Sequence, residues 1–165
     1  MEPLNHSFTF SGTKDSLQKF KELFLTSYLN VSGFEIEEVD HLYDDKDNLI
    51  IFFDSYETPT KFVTKAKKES QKLNIDFNCT LLVGWDIEAE YTIYTYRSQT
   101  NILNKYKLKS SHLDQVEFDD SDESYKFAGR RYSDSDVPGV LFEDMIKHFF
   151  GKDILNFDQS WINYD

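Results

Sequence analysis

Three stretches decide the fold: Leu49-Ile50-Ile51-Phe52-Phe53-Asp54-Ser55, the helix start Thr58-Pro59, and Ile75-Asp76-Phe77-Asn78-Cys79-Thr80-Leu81-Leu82-Val83-Gly84-Trp85. The continuous apolar run Leu49 to Asp54 predicts a strand at a sheet centre or covered on both faces. A capping hydroxyl followed by Pro at the first helical position predicts a helix to about Leu73. Its inward residues are Phe62, Val63, Ala66 and Leu73, and Lys61, Lys65, Lys67, Lys68 and Lys72 face outward. The third stretch alternates without a slip. Ile75, Phe77, Cys79, Leu81, Val83, Trp85 and Ile87 are expected on one face of a strand bent at Gly84.

Working back toward the N-terminus, Ser7 to Ser11 alternates, with Phe8 and Phe10 on one face, and Gly12 breaks it. Thr13 or Asp15 can cap a helix running to about Leu29, with Leu17, Phe20, Phe24 and Tyr28 as its stripe and Leu23 widening it. Asn30 to Gly33 ends that helix. Phe34 to Tyr43 reads as a strand whose pattern slips phase between Ile36 and Val39, which predicts a bulge. The turn Asp44-Asp45-Lys46-Asp47-Asn48 joins it to the apolar run as a hairpin. The order through Ile87 is β-α-β-β-α-β, an α+β arrangement of the ferredoxin-like kind, with two helices on one face of an antiparallel sheet.

Beyond that core, Glu88 to Tyr96 predicts a Tyr- and Thr-rich strand. Lys105 to Leu108, Leu113 to Phe118 and Tyr125 to Tyr132 are expected as extra, edge strands, the last two flanking an acidic turn. Asp136-Val137-Pro138 starts a C-terminal helix with Leu141, Phe142, Met145, Ile146, Phe149 and Phe150 on its apolar side, and Gly151 stops it. An aromatic tail with Phe157, Trp161 and Tyr164 follows. Residues 1–165 are therefore expected as a single domain, 1–87 the core and 88–165 the extension.

A chain of 165 residues removes roughly 70% of its unfolded surface from water, enough for a core without disulfides or metals. Fifteen Phe and ten Tyr supply that core, and six Gly with three Pro argue against a linker-dominated chain. One cysteine excludes an internal disulfide. The N-terminus has no basic region followed by an apolar run, and no apolar run is long enough to span a membrane, so a cytoplasmic protein is expected.

Net charge is −12. It disfavours direct contact of the body with nucleic-acid phosphates or anionic membranes and favours a basic protein partner. The charge is uneven: residues 35–57 hold nine acids and one Lys, and residues 61–72 hold five Lys and one Glu.

Little else in the sequence carries chemistry. Cys79 shares a face with Phe77 and Leu81 and is expected to be a buried, inert thiol. His6, His41, His112 and His148 lack zinc spacing, and no phosphate-binding glycine loop occurs, so no cofactor is expected. Asp144 and His148 are spaced to pair on one helix face. Arg130 and Arg131 are expected to form surface salt bridges with Asp134 or Asp136. Tyr91, Tyr94 and Tyr96 are expected to pack under later strands or meet a protein rather than RNA. Acidic clusters can hold divalent metal, but none has the calcium-loop pattern.

The apolar strand at 49–55, the Thr58-Pro59 start and the aromatic-bearing strand Ile75 to Trp85 resemble the ferredoxin-like domain of uncharacterised phage- and plasmid-encoded proteins. The Trp of that family near the helix start is absent here, and Tyr56 stands nearby. The resemblance implies a fold and a mobile-element origin, and it carries over no functional residue. Together with the charge, it leads to the expectation of a non-enzymatic inhibitor or antagonist, of toxin-immunity or anti-defence type. Its carboxylates would imitate phosphates on a partner's basic surface. The expected contact residues are Glu35, Glu37, Glu38, Asp40, Asp44, Asp45, Asp119, Asp120, Asp122 and Glu123. The alternatives are a self-associating homo-oligomeric assembly module and a metal-dependent enzyme built on the acid clusters.

Overall fold

The computed structural model describes residues 4–23, 35–39, 48–55, 60–84, 86–151 and 154. The chain forms two compact units, one of Met1–Leu81 with Ile93–Lys105, the other of Leu82–Thr92 with Tyr106–Asp165. The architecture is α+β.

The first unit is built on β1 (Leu4–Ser11), α1 (Lys14–Phe20), β2 (Glu35–Val39), β3 (Asn48–Ser55), α2 (Thr60–Leu73), β4 (Asp76–Val83), β5 (Glu90–Arg97) and β6 (Ile102–Lys107). The strands join in the order β2-β3-β1-β4-β5-β6, with the unit boundary passing through the last three. β1 and β3 pair antiparallel without a slip from Leu4↔Ser55 to Ser11↔Asn48. β3 thus has a strand on each side, which suits its unbroken apolar run. β2 pairs antiparallel with β3, and its register shifts between Glu35 and Glu38. The phase slip read from the sequence is this irregularity.

Thr13 caps α1, its Oγ1 accepting from Ser16 N at 3.2 Å. The helix passes into a wider π turn at residues 21–23. That turn carries Leu23 off the apolar stripe and leaves it 56% exposed, contrary to its expected place there. Phe24 and Tyr28 lie outside the described residues, as do Asp40 to Asp47 and the Thr58-Pro59 start. Gly12 is needed where β1 turns into α1: a Cβ there would stand 3.2 Å from Ile75 Cγ1.

Phe62, Val63 and Ala66 of α2 are buried, and Ser70 is buried with them. Asn74 ends the helix in the left-handed conformation (φ 55°). Phe8 and Phe10, Leu17 and Phe20 of α1, Phe62 and Ala66 of α2, Phe77, Cys79, Leu81 and Tyr96 form one core. Its rings are in contact, with centroids 4.6 Å apart for Phe8–Phe62, 4.4 Å for Phe10–Phe20 and 5.3 Å for Phe77–Tyr96.

β4 ends at Val83 rather than continuing to Ile87. Gly84 adopts φ 88°, a conformation open to glycine that turns the chain, and Asp86–Glu88 form a 3₁₀ turn. Asn78 and Thr80, between the apolar positions, are also buried. β5 buries Tyr91 and Tyr96 completely, in line with packing rather than RNA stacking. The turn from β5 to β6 is pinned by Asp76, whose Oδ1 accepts from Ser98 N at 2.8 Å and Ser98 Oγ at 3.0 Å.

The second unit contains α3 (Ser110–Leu113), β7 (Glu117–Asp119), β8 (Ser124–Phe127), β9 (Arg130–Tyr132) and α4 (Gly139–Phe150). Two expectations are corrected here. Leu113 to Phe118 is not one strand: a helical turn occupies Ser110–Leu113, its His112 Nδ1 accepting from Lys109 N at 3.0 Å. Tyr125 to Tyr132 is not one strand either, but a hairpin with Phe127 opposite Arg130. Ala128 (φ 50°) and Gly129 (φ 80°) supply the two left-handed residues of its turn.

β7, β8 and β9 form a three-stranded antiparallel sheet. α4 buries Leu141, Phe142, Met145 and Ile146, and Phe142 meets the Tyr91 ring edge-on at 5.6 Å. Gly151 stops the helix at φ 116°.

Candidate functional site

The structure divides the expected contact residues. Glu35, Glu37 and Glu38 lie on β2, an edge strand of the six-stranded sheet. Asp40, Asp44 and Asp45 lie outside the described residues. Asp119, Asp120, Asp122 and Glu123 cluster in and beside the β7–β8 turn.

That turn is internally bonded, as its Asp-x-Ser spacing favours. Asp119 Oδ1 accepts from Ser121 N at 3.0 Å and Ser121 Oγ at 2.6 Å. Asp122 Oδ1 accepts from Ser124 Oγ at 2.6 Å. Arg131 ties the two acids together: its Nη1 donates to Asp122 Oδ2 at 2.6 Å and, more weakly, to Asp119 Oδ2 at 3.4 Å. The Ser121 hydrogen bonds hold the Asp119 carboxyl below its ordinary pKa, assisted by Arg131 and Lys126. Asp120 and Glu123 are exposed and have no partner among the described residues.

The arginines were expected to pair with Asp134 or Asp136, and they do not. Asp136 accepts instead from Ser133 N at 3.0 Å, capping the 3₁₀ turn Asp134–Asp136. Nor does Asp144 pair with His148, as its spacing suggested. Asp144 Oδ2 accepts from Arg130 Nη1 at 2.8 Å and from Tyr132 OH at 2.7 Å. Arg130 also lies over the Tyr132 ring, 4.9 Å from its centroid. His148 packs edge-on against Phe127 and Phe149.

This cluster clasps β9 to α4. Burial and the Asp144 hydrogen bond push the Tyr132 phenol up to about 12, with Arg130 opposing. A tyrosine held protonated in this way is suited to donating a hydrogen bond, not to acting as a base or nucleophile. The contacts of Asp144 and Tyr132 carry no sequence motif, because they join residues that only the hairpin and α4 bring together.

Cys79 is fully buried, and burial raises its thiol pKa well above the ordinary value, which makes it inert. Among the described residues no group of three or more His, Cys, Asp or Glu is placed to hold a metal ion. Among the same residues no helix is long and apolar enough to cross a membrane. No family model matches the chain, and neither does any curated protein or solved structure.

Proposed function

We propose that this chain is a non-enzymatic cytoplasmic binding protein. It acts as an inhibitor or antagonist by presenting carboxylates to the basic surface of a partner protein, as a toxin-immunity or phage anti-defence protein would. One observation carries the reading: the β7–β8 turn is fixed by its own serines and Arg131, and it holds Asp120 and Glu123 exposed and without a partner among the described residues. Charges on a rigid turn lose little entropy on docking and steer association. Glu35, Glu37 and Glu38 place a second acidic stretch of sequence on the edge strand β2 of the first unit. The same carboxylates make direct binding of nucleic acid there unfavourable. We further read the first unit as a ferredoxin-like domain of mobile-element type. The strand order β2-β3-β1-β4 after a β-α-β-β-α-β sequence supports that reading.

The test uses the immobilised protein to capture its partner at low ionic strength, followed by association kinetics on the purified pair. Asp120→Lys with Glu123→Lys, and separately Glu35→Lys with Glu37→Lys and Glu38→Lys, are each expected to slow association about tenfold and to flatten its salt dependence. An unchanged rate in both variants defeats the proposal.

Self-association is the second reading, favoured by the 50% exposed Ile102 on the edge strand β6. Lys105 and Lys107 on that strand oppose edge pairing, so the monomer is preferred. Light scattering across a concentration series decides between them.

A further inference from the structure

The register of the small sheet makes Phe118, Tyr125 and Tyr132 direct cross-strand neighbours. Their rings therefore form one ladder, on the sheet face opposite Glu117, Lys126 and Arg131. The two ends of the ladder differ. At one end Tyr132 is buried beneath Arg130, whose guanidinium carbon lies 4.9 Å from the ring centroid while Nη1 donates to Asp144 Oδ2 at 2.8 Å. A cation held at once by a ring and a carboxylate completes that end. At the other end Phe118 rests on Tyr125, with centroids 5.0 Å apart and ring planes at 51°, and it is still 52% exposed. Among the described residues it is the one aromatic side chain among the large apolar ones left exposed.

Carboxylates stand at this end too. Asp119↔Ser124 is the last pair of the β7–β8 ladder, so Asp120 and Glu123 are the first and last residues of the turn. Asp120 follows Phe118 by two residues and Glu123 precedes Tyr125 by two, about 7 Å along the strand direction. Both are exposed and without a partner among the described residues. The hairpin's own cations do not compete for this end. Lys126 and Arg131 lie on the other face, paired with Asp119 and Asp122. Arg130 shares the ring face, but it is two strands away, about 10 Å, and paired with Asp144.

From this arrangement we infer that Phe118 is an arginine-stacking anchor. The basic partner lays an arginine over the Phe118 ring, and Asp120 or Glu123 holds its charge, so the Arg130–Tyr132–Asp144 arrangement is repeated between two molecules. The inference rests on the reading of this turn as a docking surface and adds which cation the surface selects. A guanidinium is planar and weakly hydrated, so it lies flat on a ring and still presents its donor edge to a carboxylate. An ammonium is a compact, strongly hydrated charge and gains less from the ring. An exposed ring contact of this kind tightens arginine about two- to fivefold.

The experiment is an NMR titration of the full chain, at low ionic strength, with end-capped hexa-arginine and hexalysine peptides of equal charge. The arginine peptide is expected to shift residues 117–125 and the Phe118 ring resonances saturably, and to bind there about two- to fivefold more tightly than the lysine peptide. Phe118→Leu, a change at a half-exposed position that keeps an apolar side chain, should bring the arginine affinity down to the lysine level and leave the lysine affinity unchanged. Asp120→Asn with Glu123→Gln should weaken both peptides. Equal affinities at the turn, an arginine preference that persists in Phe118→Leu, or unaltered binding in the double variant would each overturn the arginine assignment. Equal affinities with shifts at the turn leave the docking surface standing, whereas no shifts at the turn with either peptide would defeat both.

Discussion

Asp144→Ala tests the clasp between β9 and α4 most directly. Asp144 Oδ2 accepts from Tyr132 OH at 2.7 Å and Arg130 Nη1 at 2.8 Å. Tyr132 is 2% exposed, so its hydroxyl loses a partner in a nearly dry site, a cost of about 1–3 kcal/mol. The Arg130 side chain is 61% exposed, and its ion pair adds about 0–1 kcal/mol. The Asp144 side chain is 30% exposed, so water can reach the gap and partly replace the carboxylate. The expected loss is therefore about 2 kcal/mol. Tyr132→Phe removes the donor itself and should cost only about 1 kcal/mol. In a double-mutant cycle by urea denaturation, the pair should couple by about 1 kcal/mol or more.

The phenol offers a second measurement on the same contact. Its pKa rises from 10.0 to about 12 in the fold, so the native state holds the proton more tightly than the unfolded state. The resulting stability is complete below the unfolded value near 10 and is lost as pH climbs toward 12. Two pH units correspond to roughly 3 kcal/mol. The difference in tyrosinate absorbance between the wild type and Tyr132→Phe isolates this one residue among ten tyrosines. A midpoint near 10, together with no coupling in the cycle, would refute the account.

Three further outcomes are expected. Ala128→Gly should stabilise the protein by about 0.5–1 kcal/mol, because φ 50° burdens a residue with a Cβ; the urea midpoint reads it. Ser70→Ala should stabilise by about 1 kcal/mol, since Ser70 Oγ is buried without a partner among the described residues and Ala is the better helix former; thermal unfolding checks the sign. The Asp119 carboxyl should titrate below the ordinary Asp range in an NMR pH series, and Ser121→Ala should raise its pKa more than Arg131→Gln does. The stability linked to Asp119 is present above the unfolded pKa and is lost as pH falls through the lower folded one.

Periodicity was readable wherever a segment had one buried face and no unusual backbone. Phe8 and Phe10, the inward face of α2 and the stripe of α4 follow directly from spacing. Even the β2 irregularity showed as a lost phase in the apolar pattern. Reading failed where backbone conformation, not side-chain pattern, set the boundary. Gly84 ends β4 although Ile87 keeps the alternation. The hairpin at Ala128-Gly129 lacks the Asn-Gly or Asp-Gly pair that announces such turns, so a single strand was expected. Without that hairpin, proximity in sequence points the arginines to Asp134 and Asp136. The true partners, Asp119, Asp122 and Asp144, lie nine to fourteen residues away.

The distribution of charge also restricts how a partner can approach. Residues 14–23 and 60–73 hold eight lysines against three acids, a net +5, so the rest of the chain carries −17. α1 and α2 pack against each other and into one core, which gathers those lysines into a single helical layer of the first unit. Screening limits electrostatic influence to about 8 Å at physiological salt, so a partner senses the local sign and not the net charge. A basic partner of the kind proposed would thus be repelled by the helical layer and drawn to the β2 edge or the β7–β8 turn. Within that turn, Asp119 and Asp122 already satisfy Arg131 and two serines, which leaves Asp120 and Glu123 as the charges available for exchange. On the proposed docking, neutralising Asp119 or Asp122 would act only through the shape of the turn, whereas neutralising Asp120 or Glu123 would remove the attraction itself.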